Sequence, residues 1–266
     1  MQRAKAYWHV YRTSMREDGA NPQRLISGLV QNFIRIWLVV LVYGVAYQFN
    51  PNPGLSFANT IWTFGLFFAF VLNLGIRNIA RLIDLDVKLG TIEVGLIKPL
   101  DWRFVKLCQL LGKSSIEFGL QLIILPITLF IFVGPPDISF WSPLVLFGLV
   151  VLLPFSVIIP ATLFTIVGLS AVWTHDAMPI FRIVDKTAAV LTGSFVPLAL
   201  LPHVLQDILR WSPFGVYAAP QLFFNPNAPA LLVQTLISAV MWTVIMVLAS
   251  KFVWNRVSRR LEVSGG

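Results

Sequence analysis

From Leu144 to Trp173 the chain carries no Asp, Glu, Lys, Arg or His. Crossing the ~30 Å hydrocarbon core of a bilayer takes about 20 helical residues, and this run exceeds that. A soluble domain would have to bury every face of such an element. Pro154 and Pro160 fall inside it and each removes a backbone donor, so a bend is expected. Runs of similar character occupy residues 25–49, 57–76, 107–133 and 229–254. A further one, residues 180–201, is shorter. Its uninterrupted part, Thr187 to Leu201, holds Gly193 and Pro197 and reaches across only by recruiting Ile180, Phe181, Ile183 and Val184. The whole chain is 57% hydrophobic and 12% charged, against about 25% charged residues in an average soluble domain. Its mean hydropathy is +0.77. The chain reads as an integral membrane protein with six crossings.

Charge sets the orientation. With both termini on the cytoplasmic side, every Lys and Arg lies in an inner segment except Arg35, within the first span, and Arg210. The reverse orientation would place nearly all of them outside, against the positive-inside rule. The net charge of +8 therefore follows topology, and no nucleic-acid partner is expected. Arg35 is expected to snorkel to the inner surface or to face the protein interior. The first 24 residues lack a continuous apolar core, so no cleavable signal peptide is expected. They place Ala4, Tyr7, Trp8, Tyr11 and Met15 on one helical face, with Arg3, Lys5, His9, Arg12 and Arg16 on the others. Such a helix suits the lipid headgroup layer. Residues 202–227 hold aromatics, four prolines and Arg210, and read as short helices dipping into the outer leaflet. Residues 255–266 form a basic tail.

Few residues could carry covalent chemistry. Gly112-Lys113-Ser114 ends like a phosphate-binding loop, but Leu107 stands where that loop needs its first glycine, so no nucleotide is expected to bind this chain. His9, His175 and His203 lack metal-ligand spacing, and Asp84 and Asp86 point about 200° apart on a helix. No catalytic residue, metal or cofactor is expected. Ser194 with His203 suits helix packing better than hydrolysis. Cys108 reads as a packing residue. Glu117, inside the third span, is explained by an i,i+4 pair with Lys113, or alternatively is the coupling group of a proton-driven secondary transporter.

The polar interruption from Arg77 to Lys106 remains. Read as helix, Leu82, Leu85, Leu89, Ile92 and Leu96 form one stripe, with Arg81, Asp84, Lys88 and Glu93 around it. It is too polar to cross a bilayer, and suits a membrane surface or a groove on a partner.

Within it, Gly90, Thr91, Glu93, Leu96, Pro99 and Leu100 resemble the "G-T-(apolar)-E-x-x-(apolar)-x-x-P-(apolar)" loop of type-2 ATP-binding-cassette exporter permeases. The likeness extends along the chain, to an N-terminal elbow helix, six spans, and a broken fifth span followed by re-entrant helices around Trp211-Ser212-Pro213-Phe214 and Pro220. Lys98 and Asp101 flank the proline where many members are less charged, which leaves the substrate subclass open. The resemblance implies an all-α fold with an elbow at 1–24, a transmembrane domain at 25–254 and a coupling loop at 77–106. It implies a coupling helix at Gly90 to Ile97 seated on a separate cytoplasmic ATPase subunit, which binds ATP and Mg. Gly90, Thr91, Glu93, Leu96, Lys98 and Pro99 become the ATPase-coupling residues, with Lys98-Pro99 ending the helix. A second six-span permease, identical or sister, and membrane lipid complete the expected partners. The implied function is export of an amphipathic or lipid-like substrate across the inner membrane.

Overall fold

The computed structural model describes residues 2–50, 54–92 and 100–264, with side chains at all of these except 2, 72, 73 and 261–264. Helix α1 spans Gln2–Gly19, α2 Pro22–Phe49 and α3 Phe57–Phe68. A π-helical turn (Ala69–Asn73) and a 3-10 turn (Ile76–Asn78) join α3 to α4, Ile79–Lys88. After the loop come α5 (Trp102–Phe132), α6 (Pro143–Leu169), α7 (Ala171–Thr174) and α8 (Met178–Leu191). The short α9 (His203–Arg210) and α10 (Pro213–Tyr217) precede α11, Ala228–Ser264. No strand occurs among the described residues. Polar residues start these helices where the sequence turns apolar. Ser56 Oγ accepts the Asn59 N–H at 3.1 Å, Asp101 that of Arg103 at 3.0 Å, and Ser142 Oγ that of Val145 at 3.3 Å.

Five helical runs among the described residues are long and apolar enough to cross a membrane: α2, α3 through α4, α5, α6 through α7, and α11. Pro154 and Pro160 lie inside an uninterrupted α6. The expected fifth crossing at 180–201 is not one continuous helix. Its helix α8 stops at Leu191, where Gly193 takes φ +74°. The Gly193 N–H bonds to Val190 O at 3.2 Å and the Ser194 N–H to Ala189 O at 3.0 Å, the paired bonds that close a helix on a left-handed residue. A side chain at Gly193 would also meet Val196 O at 2.8 Å. The helix ends because only glycine fits there.

Helix α3 occupies the centre, with Ile61, Phe64, Phe67 and Phe68 all buried. Polar contacts collect at the two ends of the bundle. At the end away from the termini, buried Asn59 donates to Asp137 O (3.1 Å) and Phe224 O (3.0 Å) and accepts from the Asp137 N–H (2.7 Å). Trp62 Nε1 bonds Gly134 O, and Gln221 holds Leu198 N–H and Thr192 O. Helix α9 is polar inward and apolar outward: Gln206 is buried on Ala199 O and Leu201 O, whereas Val204, Ile208 and Trp211 just beyond are exposed. That inversion suits a lipid environment.

The face of α1 differs from expectation. Ser14 and Asp18 are buried and Tyr7, Tyr11 and Met15 half-buried, while Trp8 is exposed. Helix α1 packs lengthwise on the first half of α5. Tyr7 stacks edge-on with Phe104, and Tyr11 Oη bonds Ser115 Oγ at 2.7 Å. A Cβ on Gly112 would run into the Tyr11 carbonyl, so Gly112-Lys113-Ser114 sits in mid-helix as a close-packing site. Of the two expectations for Arg35, the structure shows contact with the protein. Its guanidinium lies 5.5 Å from the Phe68 ring centroid, facing the protein.

Candidate functional site

At the end of the bundle that holds α1 and the close of α11, α4 is built as a rigid stem. Its buried face is Ile79, Ala80, Ile83 and Asp84, and Leu85 and Leu89 are exposed. The apolar stripe expected to fill a partner's groove therefore divides: Leu85 and Leu89 stay on the surface, while Ile92 is buried, 1% exposed, among Ile83, Phe164 and Phe181. The face that packs is a different one, and it contains Asp84, which the periodicity placed among the polar residues.

Asp84 can be buried because both carboxylate oxygens are used. Oδ1 accepts the Ala177 N–H at 2.7 Å at the start of α8, and Oδ2 pairs with Lys88 Nζ at 2.7 Å. Lys88 also reaches Asp176 Oδ1 at 2.9 Å. The hydrogen bonds from Lys88 and from the Met178 N–H hold the exposed Asp176 carboxyl below its ordinary pKa. A carboxyl depressed in the folded state contributes above its unfolded pKa and loses that contribution as pH falls through the folded one. Protection of the Met178 amide from hydrogen exchange is thus expected at neutral pH, and should fall only as pH drops below about 4. Protection unchanged in acid would assign it to something other than Asp176.

The loop's entry is fixed to this stem. Gly90 caps α4 with φ +69°, its N–H on Val87 O at 3.2 Å. Thr91 Oγ1 donates to Asp86 Oδ1 at 3.1 Å, and Asp86 Oδ2 meets Lys106 Nζ of α5 at 2.5 Å. The exit is fixed as firmly. The Asp101 N–H donates to Tyr7 Oη of α1 at 2.9 Å, and Trp102 stacks on Trp254 of α11, ring centroids 5.6 Å apart. Of the expected coupling residues, Gly90 and Thr91 are thus placed at the entry, while Glu93, Leu96, Lys98 and Pro99 lie outside the described residues. In the sequence, Asp84 and Asp86 stood out only as an acidic pair unsuited to metal, Tyr7 only as part of a helical face, and Lys106 only as the end of the polar stretch. Their partners are mostly remote in the chain, and only Lys88 and Thr91, four and five positions from Asp84 and Asp86, were local signals.

Glu117 has different surroundings from those expected. Among the described residues no ion pair joins it to Lys113. Its carboxylate lies against the α2 backbone at Gly28, within electrostatic reach of Arg24, Asp18 and Arg35.

These features define an all-helical, multi-pass membrane protein whose polar loop is braced at both stems. The family model of the ABC-2 family transporter protein matches residues 30–265. The chain belongs to that family, whose members are membrane subunits of ATP-binding-cassette transporters, and the resemblance read from the loop motif is confirmed. No individual curated protein matches the sequence.

Proposed function

We propose that this chain is the permease subunit of an ABC exporter, moving an amphipathic or lipid-like substrate out of the cytoplasm. A separate ATPase subunit, docked on Gly90 to Ile97, supplies the energy by hydrolysing ATP. The observation that carries the reading is the clamping of both loop stems, to α4, α5, α6 and α8 on one side and to α1 and α11 on the other. A displacement of either stem is passed to the spans that hold it. In this reading both termini are cytoplasmic, α8 with the Leu198–Leu200 turn is the broken fifth crossing, and α9 and α10 re-enter the outer leaflet. The outward apolar face of α9 supports the last point. Two such chains, or this one and a sister, surround the path. Few charged side chains lie within the spans, which favours amphipathic cargo over a highly charged one.

The test is ATP-dependent transport in vesicles containing the chain and its ATPase. Glu93→Arg is expected to abolish transport while insertion and folding remain normal, because a reversed charge on a docking helix repels the groove it should enter. Unchanged transport in that variant would remove Glu93 from the contact, and transport by the lone chain without ATP would overturn the reading.

A further inference from the structure

We propose that the cleft between α5, α6 and α11 binds one anionic glycerophospholipid, drawn from the leaflet nearest α1 and the close of α11. The cleft has a volume of about 340 Å³, inside the range of roughly 300–1,000 Å³ typical of small-ligand sites. Leu107, Ile158, Ala161 and Val247 supply its apolar lining, further along their helices than Asp101, Arg103 and the exposed Lys251, which form its charged rim, with Ser250 buried beside them. The polarity is that of a lipid: a charged head outside, an acyl chain within.

Depth in the membrane follows from where the charges stand: Asp101 and Arg103 open α5 and Lys251 lies toward the close of α11, at the polar ends of two apolar spans. Trp102 and Trp254 stack at 11° between planes at the same end, and Arg103 lies 5.3 Å from the Trp254 centroid. Charged side chains at span ends settle at the headgroup boundary, so the rim is at headgroup level and the apolar lining lies in hydrocarbon. The rim's charge is unbalanced. Partial burial of Asp101 pushes its pKa upward, but the Arg103 hydrogen bonds and charge outweigh this and hold it below the ordinary value. Asp101 is thus ionised and matched by Arg103, through contacts of 3.2 Å and 2.8 Å. Lys251 is exposed and forms no ion pair among the described residues, leaving one positive charge over. Arg103 spends three N–H groups on Asp101 and on Ser250 Oγ (3.4 Å), and two of its five remain. Two guanidinium donors beside an ammonium suit the oxygens of a phosphodiester. Basic pockets between helices on one membrane face bind anionic headgroups in this way. A phosphatidylcholine headgroup would bring its own cation against Lys251.

Bound there, the lipid would bridge α5 and α11 beside the loop exit at Asp101, bracing the stem on which the proposed coupling depends. The site itself stands without that reading; only calling its leaflet cytoplasmic rests on it. The purified full chain in neutral detergent would be titrated with phosphatidylglycerol, phosphatidylcholine or inorganic phosphate, and read by native mass spectrometry and thermal unfolding. One retained phosphatidylglycerol and a rise in the unfolding temperature are expected, with neither from inorganic phosphate and little from phosphatidylcholine. Lys251→Gln should weaken phosphatidylglycerol retention about tenfold, the loss of one charge-assisted contact, and Lys251→Arg should restore it. Thr162→Phe, which fills the cleft without touching the rim, should abolish retention. Equal protection by both lipids, protection by inorganic phosphate, or full retention in Lys251→Gln would each overturn the proposal. Lys251 is exposed, so its variants test the site even if Thr162→Phe does not fold.

Discussion

Replacing Gly168 with alanine will destabilise the protein by about 1–3 kcal/mol, the usual cost of overpacking a well-packed site. A Cβ at this position would sit 2.8 Å from Ile83 Cβ, 2.9 Å from Ala80 O and 3.0 Å from Ala80 Cα. None of these is the far end of a flexible side chain, so relief requires α4 to move away from α6. Helices in a bilayer are held together by such close approaches, because lipid is as apolar as the side chains it would replace. Moving α4 would also shift Thr91 and Ile92, which enter the loop from it. The variant is therefore expected to lose ATP-driven transport out of proportion to its stability. Gly44→Ala is the control: nothing lies within 4 Å of its Cβ position, and it should be neutral or stabilising by up to about 1 kcal/mol. Unfolding of both variants in mixed micelles measures the difference. Equal stabilities would mean that the α4–α6 contact is looser than its geometry.

The class of protein was legible in the sequence because a bilayer demands long charge-free runs, and only a membrane protein has a use for them. Where the reading departed from the structure, the deciding contacts were between residues far apart. The stripe of Leu82, Leu85 and Leu89 was the more apolar face of α4 by periodicity, yet the packed face includes Asp84. A carboxylate can be buried only if partners meet it, and Ala177 lies 93 positions away. The face of α1 was rotated by one residue for the same reason, since Ser14 and Asp18 are buried against elements the local pattern does not reveal. The stop at Gly193 was different. Glycine and proline were visible in that stretch, but they are compatible with both a kinked crossing and an ended helix. The hydrogen bonds of Gly193 and Ser194 decide between them.

Asp84→Ala is expected to cost about 1.5–3 kcal/mol, the range for a lost hydrogen bond to a charged group. Asp84 is 3% exposed, and its loss leaves the fully buried Ala177 N–H at the start of α8 with nothing to accept it. Lys88 adds little to the cost, because it keeps Asp176 and stands partly in solvent. Asp84→Asn separates the two roles of the carboxylate: an amide oxygen can still take the Ala177 N–H, but the charge that holds Lys88 is gone. That variant should recover about half the stability lost in alanine, within the ~1 kcal/mol of a neutral hydrogen bond. Exchange of the Ala177 amide reports the contact directly, slow in Asn and fast in Ala. Asp84 also joins the stem before the loop to α8, so loosening it should leave ATP hydrolysis by the partner running while transport fails. If Asn and Ala variants prove equally damaging, the negative charge of Asp84, and not its acceptance of the Ala177 N–H, is what holds the two helices together.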